Sequence, residues 1–136
     1  MAAVLDRRRA SRQEALTAFL ARTSGSGTER LLSVFDWLAQ GHGRWGFRGC
    51  PFTNAAVELP DEGHPARKVI SAYKNWLRLT LVELAAQAGL ARPDELGYAL
   101  LLLIDGANAR VVVDGDRTAM LRARSVAATL IGHASH

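Results

Sequence analysis

The 136-residue chain carries 17 Lys/Arg against 13 Asp/Glu and is 49% hydrophobic, which fits one folded domain with a real core and excludes wholesale disorder. A single cysteine excludes an intrachain disulfide and, with four scattered histidines, offers no metal-ligand spacing; both suit a reducing, cytoplasmic setting. The N-terminus reaches Asp6-Arg7-Arg8-Arg9 before any apolar stretch, and the apolar run around Tyr98–Ile104 is far short of the roughly 20 residues that span a bilayer, so neither a leader nor a membrane partner is expected.

Residues 1–49 hold eight Lys/Arg and four Asp/Glu, and residues 50–136 hold nine of each. The positive excess therefore lies in the N-terminal third, densest at Arg7, Arg8, Arg9 and Arg12. With no aromatic residues interleaved, these arginines read as an exposed helix face, with only non-specific, salt-sensitive attraction to a polyanion.

The pattern predicts six helices and no sheet. The first covers about Val4–Arg22, with Ala15, Leu16, Phe19 and Leu20 on its apolar face, and Ser24-Gly25-Ser26-Gly27 ends it. Ser26 and Glu29 have the spacing of a capping box for the second helix, whose stripe is Leu31, Val34, Phe35 and Leu38. Glycines 41, 43 and 46 break the chain into a loop carrying Trp45 and Phe47. They resemble a phosphate-cradling loop only superficially, because no strand precedes them. Cys50 then caps a short third helix that starts at Pro51 and stops after Leu59 at Pro60.

A fourth helix, about Pro65–Ala88, follows His64, with Ile70, Tyr73, Leu77, Leu81, Leu84 and Ala88 at the helical period. The fifth, about Pro93–Val113, places Leu100, Leu101, Leu102, Leu103 and Ile104 all around its axis, more than one face of a small domain can cover. The sixth, about Asp116–Ile131, puts Ala123, Ala127, Leu130 and Ile131 together, small enough for a close neighbour. Such helices call for a partner, and the expected interface is built from Leu101, Leu102, Ala109, Ala123, Ala127 and Leu130, with Ala127→Arg or Ala127→Glu expected to split it or make the protein insoluble.

No nucleophile elbow, metal pair or phosphate loop survives inspection, so no enzyme, metal or cofactor is expected. Glu58, Glu83 and Asp105 are the only carboxylates that could serve catalysis, and Asp105 is expected to be structural. Cys50 is either a small buried apolar group or a thiolate favoured by a helix N-terminus and Arg48. Trp and Tyr combine an apolar body with a polar tip that needs a partner. The aromatic residues Trp37, Trp45, Phe52, Tyr73 and Trp76 are therefore candidate ligand contacts, with ordinary core packing as the alternative, and Trp37, Phe52, Tyr73 and Trp76 are expected around one space between the first four helices. Asn54 is a candidate polar contact to a ligand or else makes a local hydrogen bond.

The segment "RGCPFTNAAVELPDEGHPARKVISAYKNWLRLTL" resembles the C-terminal regulatory domain of tetracycline-repressor (TetR) type transcription factors, and "ELGYALLLLIDGANARVVVDGD" with the Arg- and Ala-rich last helix is similar to that family's closing helix pair. The order and spacing of these motifs carry the resemblance over residues 4–132. It implies an all-α, six-helix domain that binds a small, mostly apolar effector and forms a homodimer through a four-helix bundle of its last two helices. It also implies that the Cys50–Leu59 helix lies beside the effector, as a hinge toward a DNA-binding head. Residues 1–22 resemble the helix that connects to such a head, and DNA contact is expected only through a helix-turn-helix outside this chain. The alternative is a stand-alone helical dimer that binds a ligand or another regulator without touching DNA.

Overall fold

The computed structural model describes residues 2–43, 49–59 and 61–135, and the regular structure among them is helical. The elements are α1 (Ala2–Arg22), α2 (Gly27–His42), α3 (Pro51–Glu58), α4 (Pro65–Gln87), α5 (Pro93–Asp114) and α6 (Ala119–Ala134).

Local chemistry sets these boundaries. Ser26 Oγ accepts the Glu29 backbone N–H at 3.1 Å and caps α2, satisfying a donor that the first helical turn leaves unpaired. Prolines open α3, α4 and α5, where a missing N–H is harmless. His64 caps α4 with its side chain, Nδ1 accepting the Ala66 N–H at 3.1 Å. The acidic turn before it is closed by Asp61, whose Oδ1 accepts the Gly63 N–H at 2.8 Å. Arg67 reaches back from α4 and donates to the Ala56 and Leu59 carbonyls at the end of α3, so the short helix is tied to the long one at its C-terminus. α6 begins at Ala119 rather than near Asp116. The Asp116 carboxylate accepts both the backbone N–H and the hydroxyl of Thr118, at 2.9 and 2.6 Å, and this turn competes with a helix start.

The most extensive packing is α4 on α5, then α6 on both α2 and α5; α1 crosses α4 and α2, and α3 rests on α4. Gly97 allows α5 to lie almost against the α4 backbone: a Cβ there would sit 3.0 Å from the Val82 nitrogen and 2.4 Å from its Cγ2. Elsewhere in a helix, Gly→Ala is favourable by up to ~1 kcal/mol. At Gly97 the clash reverses the sign, and Gly97→Ala is expected to destabilise the fold by about 1–3 kcal/mol in chemical denaturation.

α5 is long and apolar enough to cross a bilayer by length and composition, but Leu96, Leu100, Ile104, Ala107 and Val111 are buried against the rest of the chain. The Leu-rich run divides: Leu100, Leu101 and Ile104 face inward, while Leu102 is 55% exposed. Three residues expected at a dimer interface turn out to be enclosed by the chain's own core. Leu101, Ala123 and Ala127 are buried, because the buried stripe of α6 is Ala119, Met120, Ala123, Ala127 and Ile131. Leu102 and Ala109 are exposed and Leu130 is half-buried.

The buried apolar residues form two clusters. The larger runs from Leu16 and Leu20 through α2, the C-terminal half of α4, α5 and α6. The smaller joins Leu5, Cys50, Phe52, Ala55, Leu59, Ala66, Ile70 and Tyr73. α1 and α4 pass through both. Leu5 and Tyr73 belong to the smaller cluster, Leu16 and Leu77 to the larger.

Candidate functional site

The boundary between the two clusters is polar, and it gathers side chains from four helices. On α1 the inward positions recur at Leu5, Leu16 and Leu20, and Arg12 falls on the same face at helical spacing. It is therefore half-buried, unlike exposed Arg7 and Arg8, and this corrects the expectation of four solvent-facing arginines. Arg9 is also half-buried, held by Asp6 at 2.8 Å and by Gln13 at 3.2 Å. Arg12 donates from Nε to the Tyr73 hydroxyl at 3.0 Å. Its guanidinium lies 5.1 Å from the Trp37 ring centre and 5.7 Å from that of Tyr73, within cation–π range.

Tyr73 is the hub of the aromatic group. Phe52 stacks on it at 4.0 Å between ring centres, nearly coplanar at 14°, and Trp76 is tilted beside it at 6.2 Å. The structure thus brings Phe52, Tyr73 and Trp76 together, with Trp37 joined to Tyr73 across Arg12. Burial raises the Tyr73 pKa from its ordinary value, with Arg12 opposing, so the hydroxyl keeps its proton. Trp76 also lines a groove of about 360 Å³ between α1 and α4, with Thr17, Leu20, Arg30, Thr80 and Gln87. Asn54 stands on the flank of α3 with its amide beside Gly49, outside this aromatic group. Trp45 and Arg48 lie outside the described residues.

The far side of the layer comes from α2 and α5. Buried His42 Nε2 and Asn108 Oδ1 are 2.8 Å apart, which makes Nε2 the donor of a neutral imidazole. The backbone carbonyl of Asn108 faces Gly49, whose φ of +90 and contact with Val112 leave no room for a side chain. The chain thus leaves α2 and re-enters before α3 at the same turn of α5. Arg117 donates to the His42 carbonyl at 2.8 Å and holds the end of α2.

Lys74 and Asp105 join α4 to α5 at 2.5 Å. Burial works against the Lys74 charge, but Cys50, Asp105 and Tyr73 outweigh it, and its pKa lies above the ordinary value. Glu58 and Glu83 are exposed, so none of the three carboxylates considered for catalysis is positioned as an acid or base in this layer.

Burial depresses the His42 pKa below 6.5, with Arg117 and Arg12 adding to the effect and the Asn108 hydrogen bond opposing it. A group whose folded pKa is depressed binds its proton more readily when unfolded. Stability from neutral His42 is therefore complete above about pH 6.5 and is lost as the pH falls toward the folded value. Replacing His42 by Gln is expected to flatten the stability profile between about pH 7 and 5; urea titrations giving parallel profiles for the two proteins would contradict this.

Comparison with protein families matches residues 27–127 to the tetracycline repressor-like C-terminal domain. Comparison with curated proteins finds no match. Among solved structures, a TetR-family transcriptional regulator from Streptomyces coelicolor superposes with a TM-score of 0.89 at 28% identity, over 98% of this chain and 70% of that one. A protein described as a TetR transcriptional regulator from Streptomyces avermitilis gives 0.82 at 32% identity, over 98% of this chain and 72% of that one. These regulators are not enzymes. With six helices in the same arrangement and the family match spanning most of α2 through α6, the chain belongs to the TetR family as its C-terminal, effector-binding and dimerisation domain.

Proposed function

We propose that this domain senses a small, mostly apolar molecule held in the layer between its two apolar clusters, in contact with Trp37, Phe52, Tyr73 and Trp76. The cluster of Phe52 and Trp76 on Tyr73, which Arg12 joins to Trp37, supports the reading. Arg12 also connects the site to α1, the helix that resembles the connection to a DNA-binding head. A ligand that moves Arg12 or Tyr73 would therefore be felt along α1, and α3, stacked on Tyr73 through Phe52, would move with it.

The same reading makes the protein a cytoplasmic homodimer that meets DNA through a helix-turn-helix outside the sequence described. The pairing surface is the outer face of α5 and α6. Tyr98, Leu102 and Val113 on α5, with Leu121 and Val126 on α6, are large apolar residues about half exposed or more. Gly106, Ala109, Ala128 and Gly132 leave space for close approach. Two such helix pairs form a four-helix bundle, and a stable one buries on the order of 1,200–2,000 Å².

A thermal-shift screen of apolar and aromatic compounds tests the sensing role. A ligand at a hundred times its Kd stabilises the fold by about 2.7 kcal/mol, and the shift is expected to shrink in Trp37→Leu and Trp76→Leu. Hits that stabilise all three proteins equally would place binding elsewhere.

A further inference from the structure

We infer that the ligand of this layer is an organic anion, an aromatic or apolar body carrying one carboxylate-type group that pairs with Arg12. The inference rests on the effector-site reading and adds the charge of the effector to it.

The charge census of the layer is unbalanced. Among the described residues its cations are Arg12 and Lys74, with Arg117 at its edge and engaged by the His42 carbonyl, and its carboxylate, Asp105, is taken by Lys74. The remaining ion pairs among the described residues engage Asp6, Asp36, Glu95 and Asp114. The residues outside the description include no Asp or Glu, so no side-chain carboxylate of this chain pairs with Arg12. The excess positive field is felt at His42, where Arg117 and Arg12 both oppose protonation. Arg30 and Arg67 are also half-buried without a carboxylate, but their terminal N–H groups are taken by Gln87 and by the Leu20, Ala56 and Leu59 carbonyls. Arg12, by contrast, is held among the described residues only at Nε, which fits a site whose counter-ion arrives with the ligand.

The geometry prepares Arg12 for that role. Tyr73 holds Nε, and the Trp37 and Tyr73 rings lie against the guanidinium, which together fix its plane. Among the described residues no acceptor engages the Nη1 and Nη2 groups. That edge offers the two parallel N–H donors that match a carboxylate. A ligand carboxylate at this edge leaves its apolar body against Trp37 and the Phe52–Tyr73–Trp76 group. The unpaired charge beside aromatic rings also gives selectivity, since a neutral analogue leaves the guanidinium without a counter-ion.

The test compares 2-naphthoate with its neutral counterpart 2-naphthamide by isothermal calorimetry and tryptophan quenching. The wild-type protein is expected to bind the acid at least about tenfold more tightly than the amide. Arg12→Gln is expected to erase that preference while leaving amide binding within about threefold. Arg12→Lys, which keeps the charge and loses the fork, is expected to retain part of the preference, and Arg8→Gln, on the exposed face of the same helix, all of it. Equal binding of acid and amide by wild type, or a preference that survives Arg12→Gln, would overturn the anion and leave the effector site standing. Binding of neither compound at millimolar concentration would overturn both.

Discussion

Ala127→Arg is expected to abolish cooperative folding of the chain. Ala127 is fully buried in the larger apolar cluster, on the α6 stripe with Met120, Ala123 and Ile131. An arginine there brings overpacking of about 1–3 kcal/mol and an unpaired buried charge of about 3–5 kcal/mol. Their sum rivals the whole stability of a typical domain, about 5–15 kcal/mol. Circular dichroism is expected to show loss of the cooperative thermal transition. The adjacent Ala128 is exposed, and Ala128→Arg is expected to keep the melting curve of the isolated fold, within about 0.5 kcal/mol. A cooperative, near-normal transition for Ala127→Arg would mean that α6 is rotated from the orientation described.

Leu102→Arg combined with Ala128→Arg is expected to convert the proposed homodimer into a folded monomer. Both positions face outward, Leu102 on α5 and Ala128 on α6, and neither belongs to the apolar clusters. A twofold interface brings each substitution in twice, so four guanidinium groups would enter a surface that is otherwise apolar and small-residue rich. Truncating or charging central interface positions costs about 2 kcal/mol or more each, so the dissociation constant is expected to rise at least about 100-fold. Sedimentation equilibrium at about 10 μM should move from dimer to monomer while helicity is unchanged. Retained dimer with both arginines present would place the interface on another face.

The helices were legible because their punctuation is local. Ser26, Cys50-Pro51, His64-Pro65 and Pro93 all mark helix starts within a few residues, and only α6 was misplaced, by the Asp116–Thr118 turn. Which face of α6 meets a partner was not legible. Ala123 and Ala127 at helical spacing read the same whether the close neighbour is α2 and α5 of the same chain or a second chain. The aromatic members of the site were legible as residue types with polar tips, and Tyr73 also from the stripe of α4. Arg12 was missed because a charge among Arg7, Arg8 and Arg9 was assigned to solvent. Its spacing from Leu5 and Leu16 was the available signal. His42 and Asn108, 66 residues apart, carry no local mark of their pairing; the fold alone brings them together. Asn54, read from its place on α3 as a polar ligand contact or a local hydrogen-bonding group, has its amide beside Gly49.

The claim on which the account depends is that ligand binds at the polar layer between the two apolar clusters. Hydrogen exchange read by mass spectrometry, with and without a stabilising ligand, locates it directly. Protection is expected to rise in the α1 segment around Arg12, in α3 and in α4 around Tyr73, with the exposed face of α6 unchanged. Protection confined to α6 or the outer face of α5, with α1 and α3 unaltered, would contradict it.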